Sequence, residues 1–141
     1  MKRESSAVWE GGLKDGRGTL TTQSGTLSNT AYNFSGRFES GTGTNPEELI
    51  GAAEAGCFTM ALASQLEQAG TKAHRIETRA TVTLDKVPEG MGITNVHLQV
   101  TARVPGVDAA SFQKTADTVR ATCIISRVLK TEITMEARLE G

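Results

Sequence analysis

Residues 45–70, NPEELIGAAEAGCFTMALASQLEQAG, predict one long helix in the middle of the chain. Asn45 suits the N-cap, because its side-chain oxygen can accept a hydrogen bond from a free amide of the first turn. Pro46 suits the first helical position, where a missing N–H costs nothing. Glu48 then stands where a carboxylate closes a capping box and complements the helix dipole. With Gly70 as the stop, the predicted helix has about 24 residues and a length of about 36 Å.

The middle of this helix, residues 49–62, is apolar on nearly every side, and Glu54 and Thr59 are its main interruptions. A helix that is apolar all round must be covered by protein on all its faces. A chain of 141 residues can rarely surround a helix of this length by itself. We therefore expect a second subunit to cover part of it, and we expect Glu54 to be a solvated or an interface residue.

Short strands joined by tight turns are predicted before the helix. The dipeptides Gly11-Gly12, Asp15-Gly16 and Ser24-Gly25 supply or tolerate the positive φ angles that such turns require. They separate three segments that can form a β-meander. The predicted strands are 8–10, 17–22 and 26–27.

After the helix, apolar and polar residues alternate strictly in two segments, 76–85 and 95–104. Pro88-Glu89-Gly90 lies between them, so we expect an antiparallel hairpin. Because strands and helices are segregated along the chain, the expected fold class is α+β with antiparallel sheets, in a single domain over 1–141. The remaining predicted elements are a helix over 109–122 capped by Asp108, a short helical turn over 123–130 and a strand over 132–139.

The composition is that of a soluble globular domain, with 38% hydrophobic residues and 15 glycines among 141 residues. Fifteen Lys and Arg against 16 Asp and Glu leave a net charge of −1. Nucleic acids and anionic membranes attract basic surfaces, so we expect neither as a partner. We see no run of about 18 apolar residues, and the first residues, MKRESS, lack the apolar core of a signal peptide. We expect a cytoplasmic protein.

Cys57 and Cys123 are the two cysteines, and 123 − 57 = 66 positions separate them. The sequence has no CxxC motif and no zinc-ligand spacing, so we expect neither a metal nor another cofactor. In a reducing compartment these residues alone leave two interpretations: both are buried core thiols, or they form a redox couple. A weaker hypothesis is phosphate binding by the backbone of loop 41–45, which matches neither a P-loop nor a dinucleotide fingerprint.

The sequence around the first cysteine resembles a known family. Phe38-Glu39, GTNPEELIGAA at 43–53, Ala55 and CFTMAL at 57–62 are similar to the osmotically inducible protein C family, sister to the organic hydroperoxide resistance proteins. The similarity extends across the chain. It includes WEG at 9–11, LDKV at 84–87, VPGVD at 104–108 and residues 123–134.

This resemblance implies a thiol peroxidase that acts on organic hydroperoxides and, less well, on hydrogen peroxide. It implies an OsmC-like fold with a long central helix, in an intertwined homodimer with two active sites at the interface, and a thiol or dithiol reductant. Cys57 matches the peroxidatic cysteine, Cys123 the resolving cysteine, and Arg37 and Glu47 the catalytic arginine and glutamate. A Cys57 sulfenic acid would condense with Cys123 to a disulfide. The apolar residues expected to contact substrate are Phe34, Phe38, Phe58, Met60 and Ile125.

One residue departs from the family pattern. Ile124 follows Cys123, where the family commonly has proline. Proline at the first turn pre-sets the backbone of a helix. We therefore expect the Cys123 segment to be less pre-organised, so that resolution is slower or the segment more mobile.

Electrostatics favours the same roles for the charged residues. A peroxidatic thiol must be ionised, because the thiolate is the nucleophile that attacks the O–O bond. Burial disfavours that charge and a guanidinium within about 4–6 Å favours it, so Arg37 is the candidate cation. At 100° per residue, Glu47 lies about 80° around the helix from Cys57, whereas Glu48 lies about 180° away. We expect Glu47 to hold Arg37 in a bidentate pair and Glu48 to cap the helix.

A second hypothesis uses the same scaffold without catalysis. Both thiols would be inert, and the chain would be a dimeric small-molecule-binding or stress protein. The response of Cys57 and Cys123 to an organic peroxide separates the two hypotheses.

Overall fold

The computed structural model describes all 141 residues, Met1–Gly141. The chain forms two compact units, Met1–Leu49 and Ile50–Gly141. The α+β class is confirmed, since the chain contains four helices and two three-stranded sheets.

The first unit holds an antiparallel sheet of β1 (Ser5–Glu10), β2 (Arg17–Thr22) and β3 (Thr30–Tyr32), in the order β1-β2-β3. The predicted strand at 26–27 is wrong, because these residues belong to the turn between β2 and β3. The reason is local hydrogen bonding. Leu27 N–H donates to Thr22 Oγ1 at 3.1 Å, and Thr22 N–H donates to the Leu27 carbonyl at 2.9 Å, which closes the turn before a strand can start.

A short helix, α1 (Phe34–Phe38), follows β3 and was not expected from the sequence. Its N-cap is Asn33, whose side-chain oxygen accepts from Gly36 N–H at 2.7 Å. Five residues are too few to show a helical period, so the capping asparagine is its main sequence signal.

The long helix α2 (Pro46–Gln68) has 23 residues and confirms the predicted central helix. Asn45 Oδ1 accepts from Glu48 N–H at 2.8 Å, as an N-cap does. The capping box does not form, because the Glu48 carboxylate accepts from Thr44 Oγ1 at 2.6 Å instead. The helix ends at Gly70, which has φ +83°, and Thr71 N–H donates to the Leu66 carbonyl at 2.9 Å.

The second unit contains a sheet in the order β4-β5-β6. Strands β4 (Arg75–Val87) and β5 (Gly90–Arg103) form the predicted antiparallel hairpin. Strand β6 (Glu132–Glu140) pairs with β5 in parallel, so this sheet is mixed and the expectation of antiparallel pairing is corrected there. Along the chain, the helices α3 (Ala109–Thr122) and α4 (Ile124–Val128) connect β5 to β6 and supply the crossover that a parallel pair requires.

The hydrophobic core of the second unit lies between α2, α3 and one face of β5. Phe58, Leu62 and Leu66 recur every four residues along α2, so they share one face of the helix. The same helix packs against β4 at Gly51, where an ideal Cβ would lie at a contact distance of 3.4 Å from Val82 Cγ2. The buried core side chains from β5 and α3 are Val96, Leu98, Val100, Ala102, Phe112, Ala116 and Val119.

Another face of α2 is exposed in the single chain. Ala52 and Gly56 are exposed, and Met60 is 76% exposed. The prediction that a second subunit covers part of α2 concerns these residues. By length and composition alone α2 could cross a membrane, with a mean hydropathy of 1.3, which corrects the expectation that no segment is long and apolar enough. The core helix of a soluble protein meets the same test.

Replacing Asn45 with alanine should destabilise the protein by about 1 kcal/mol, because the free amide of Glu48 loses its acceptor. Urea unfolding followed by circular dichroism measures the change. Asn45→Asp retains the acceptor for Glu48 N–H but loses the bond that Asn45 Nδ2 donates to the Gly36 carbonyl at 3.2 Å, so its midpoint should lie between those of the native protein and Asn45→Ala. Equal destabilisation by both substitutions would show that the cap contributes nothing.

Candidate functional site

Arg37 and Glu47 form an ion pair within the first unit. Arg37 Nη2 donates to Glu47 Oε1 at 2.8 Å, and Nε donates to the same oxygen at 3.0 Å and to Oε2 at 3.3 Å. Helix α1 carries the arginine and the first turn of α2 carries the glutamate. The predicted pairing is confirmed, and two nitrogens of the guanidinium engage the carboxylate, which fixes its plane.

The guanidinium borders an aromatic cavity of about 240 Å³ in the same unit. Phe34 and Phe38, two of the expected substrate contacts, line it with their ring centroids 5.1 Å apart. The carbon at the centre of the Arg37 guanidinium lies 5.0 Å from the centroid of the Phe38 ring. The sequence analysis did not identify the other lining residues, which are Trp9, Leu13, Tyr32 and Asn33.

Cys57 and Cys123 are both free thiols in the second unit. Cys57 is half-buried on α2, and Cys123 is 4% exposed at the junction of α3 and α4. Cys123 is the N-cap of α4, where its sulfur accepts from Ser126 N–H at 3.4 Å. Ile124, the residue that departs from the family pattern, is 67% exposed beside it.

Glu54 lies beside Cys123 and has 0% exposure. This corrects the expectation that it is a solvated or interface residue. Ser126 Oγ donates to Glu54 Oε1 at 2.5 Å, and the Cys123 thiol donates to Oε1 and Oε2 at 3.9 and 3.8 Å. Ser126 Oγ and Cys123 Sγ are 3.1 Å apart. A buried carboxylate, a hydroxyl and a thiol therefore form one connected cluster.

This cluster changes the ionisation of Cys123. Burial raises the pKa of the Cys123 thiol above its ordinary value. Hydrogen bonds from Ser126 oppose the shift, whereas contact with Cys57 and the negative charge of Glu54 add to it. The raised pKa keeps Cys123 protonated at neutral pH.

The other expected substrate contacts lie elsewhere in the second unit. Phe58 has 0% exposure and is a core side chain, so the expectation that it contacts substrate is corrected. Ile125 is partly buried and packs against the core. Met60 is exposed and lines a wide cavity of about 520 Å³ between α2 and β4, together with His74 and Arg75 among others. No group of three or more His, Cys, Asp or Glu side chains could hold a metal ion.

The four expected catalytic residues thus fall into two pairs, each formed within one unit. Arg37 forms an ion pair with Glu47 in the first unit, and Cys57 and Cys123 both lie in the second. The sequence analysis missed the role of Ser126 and the burial of Glu54. A signal for Glu54 is present, since residues 54, 58, 62 and 66 follow one four-residue row of α2.

Comparison with known proteins identifies relatives along the whole chain. The family model described as OsmC-like protein matches residues 39–138. The chain is 47% identical over 141 residues to Peroxiredoxin OsmC of Escherichia coli strain K12, which covers 100% of this chain and 99% of that protein.

More distant relatives share part of the sequence or the fold. The organic hydroperoxide resistance protein of Xanthomonas axonopodis pv. citri strain 306 is 33% identical over 94 residues, which is 66% of this chain and 64% of that protein. The crystal structure of an OsmC-like protein from Mycoplasma pneumoniae superimposes with a TM-score of 0.77 at 14% identity, covering 100% of this chain and 99% of that one. At that identity the likeness concerns the fold alone.

Proposed function

The chain belongs to the family of OsmC-like proteins, and on this premise we propose that it is a cysteine-based peroxidase that reduces organic hydroperoxides at the expense of thiols. The observation that carries the proposal is the pair of free thiols, in which the half-buried Cys57 packs against the core that holds the buried Cys123. The names of the relatives from E. coli and Xanthomonas support the same activity. Hydrogen peroxide is the poorer substrate in this proposal.

The proposed first step takes place at Cys57. Its thiolate attacks one oxygen of the hydroperoxide, the O–O bond breaks, and the other oxygen leaves as an alcohol after it takes up a proton. Cys57 is thereby oxidised to a sulfenic acid. The ion pair with Glu47 supports a role for Arg37 as the cation that favours the thiolate, because the pair holds the guanidinium in a fixed orientation.

The second step joins the two cysteines. Cys123 attacks the sulfenic sulfur of Cys57, an S–S bond forms, and water leaves. A thiol or dithiol then reduces the disulfide by exchange and restores both thiols. Phe34, Phe38, Met60 and Ile125 remain the proposed contacts of the substrate's alkyl part, and the first two line an aromatic cavity of suitable polarity.

The proposed assembly is an intertwined homodimer of one-domain chains in the cytoplasm, with two active sites at the interface. The exposed apolar face of α2, with Ala52, Gly56 and Met60, supports a covering subunit. Light scattering of the purified protein measures the mass, and a monomer at micromolar concentration would contradict this part of the proposal.

One equivalent of cumene hydroperoxide added to the reduced protein should remove two hydrogens from its mass. After digestion, the loss should map to a disulfide between Cys57 and Cys123. In a Cys123→Ser variant the same treatment should add one oxygen at Cys57 instead. Unmodified thiols in both proteins would favour the non-catalytic binding or stress protein.

A further inference from the structure

We propose that Glu54 is the base that accepts the proton of Cys123 when Cys123 attacks oxidised Cys57. The inference rests on the proposed function, which supplies the Cys57 sulfenic acid. The roles proposed above for Arg37 and Cys57 do not use the Glu54 carboxylate, and this inference gives it one.

The position of Glu54 suits this task. Its carboxylate has 0% exposure, and both of its oxygens lie within 3.9 Å of Cys123 Sγ. Ser126 Oγ lies 2.5 Å from Oε1 and 3.1 Å from the same sulfur, so it can also relay a proton between them. A buried carboxylate is costly unless it is paired, and the same helical row otherwise holds Phe58, Leu62 and Leu66. If position 54 served packing alone, an apolar side chain there would avoid this cost.

The chemistry at Cys123 requires such an acceptor. A thiol becomes a strong nucleophile when it loses its proton, and burial together with the charge of Glu54 keeps Cys123 protonated. In the proposed step the Cys123 proton moves to the Glu54 carboxylate while the sulfur attacks Cys57. The S–S bond forms, the S–O bond breaks, and the departing hydroxyl takes the proton from Glu54 to leave as water. Cys123 is oxidised, Cys57 is reduced from the sulfenic state, and Glu54 returns to the carboxylate.

No other charged side chain takes this place beside Cys123. On α2 the titratable groups near it are Glu54 and Cys57. On α3, Arg120 Nη1 donates to the Ile133 carbonyl at 2.8 Å, and Arg127 of α4 is exposed. The charged residues of β6 are also exposed, namely Glu132, Glu136, Arg138 and Glu140.

Two effects of Glu54 on disulfide formation can be told apart, because a base speeds the attack of Cys123 whereas a negative charge alone slows it. If Glu54 acted through its charge alone, it would hinder resolution, because it raises the pKa of Cys123. Glu54→Gln would then speed disulfide formation. If Glu54 is the base, the same variant slows it, even though removal of the charge lowers the pKa of Cys123.

The experiment is a single turnover of reduced protein with cumene hydroperoxide. Acid quenching and mass spectrometry separate the Cys57 sulfenic acid from the disulfide. In Glu54→Gln the sulfenic acid should still form and then accumulate, because disulfide formation falls by about 100-fold at neutral pH. The native rate should be nearly constant between about pH 6 and 8, whereas the variant rate should rise about tenfold per pH unit, since it follows the thiolate fraction of Cys123. Glu67→Gln, the same change at an exposed position of α2, should match the native protein.

A disulfide rate in Glu54→Gln equal to or above the native rate would overturn the inference. So would a native rate that already rises tenfold per pH unit. This measurement needs no variant, so it still applies should Glu54→Gln fail to fold.

A test without peroxide separates this inference from the proposed function. An aromatic disulfide reagent, 5,5′-dithiobis(2-nitrobenzoate), caps Cys57, and the attack of Cys123 on that sulfur releases a coloured thiolate. Slow release in Glu54→Gln would support the base even if no sulfenic acid ever formed, and equal release would refute it.

Discussion

Replacing Cys57 with serine should reduce hydroperoxide turnover below detection. A serine hydroxyl does not ionise near neutral pH. The serine side chain also has no sulfur that the peroxide can oxidise, so no sulfenic acid can form. The measurement is the loss of cumene hydroperoxide in the presence of dithiothreitol. Serine is nearly isosteric and Cys57 is half-buried, so circular dichroism should show the native fold.

The matched control for this variant is Cys123→Ser, which alters the other thiol and leaves the attacking sulfur in place. It should still consume one equivalent of peroxide per chain in a single turnover. Sustained turnover by the Cys57 variant would refute the assignment of this residue, and equal loss of the first turnover in both variants would leave the two cysteines without distinct roles.

Because Arg37 favours the Cys57 thiolate in the proposed mechanism, replacing Arg37 with methionine should lower the rate of peroxide reduction by about 10-fold to 1,000-fold at neutral pH. The loss should shrink as the pH rises, because hydroxide then produces the thiolate without help from the cation. Stopped-flow measurement of sulfenic acid formation across this range tests both statements.

Arg17→Met is the matched control, since Arg17 forms an exposed ion pair with Glu10 at 3.7 Å in the same unit. Such pairs contribute little to stability, so this variant should behave as the native protein does. Arg37→Lys separates charge from shape, because an ammonium lacks the planar fork that two of the guanidinium nitrogens present to Glu47. Native activity in Arg37→Met would remove the arginine from the proposed mechanism.

Local chemistry predicted much of the fold. Asn45, Pro46 and Gly70 fixed the ends of α2, because capping depends on residues next to one another in the chain. The angular argument on α2 distinguished Glu47 from Glu48, and the structure confirms that Glu47 takes the arginine. These predictions succeeded where the partner residues lie within about ten positions.

Predictions failed where distant segments decide the outcome. The parallel pairing of β6 with β5 depends on how α3 and α4 return the chain to the sheet, and alternation within β6 is the same for either direction. Glu54 looked like a polar interruption of an apolar helix, because its partners Cys123 and Ser126 stand about 70 positions away. A charged residue on a core-facing row is therefore a signal for a buried site and not for exposure.

Gly51 shows how a packing detail governs the reacting groups. A Cβ at this position would already lie 3.4 Å from Val82 Cγ2 and 3.9 Å from Ala80 Cβ, so a side chain that extends further would press against β4. Cys57 lies on the same helix, six residues further along. A bulky residue at position 51 should therefore move α2 away from β4, and Cys57 with it.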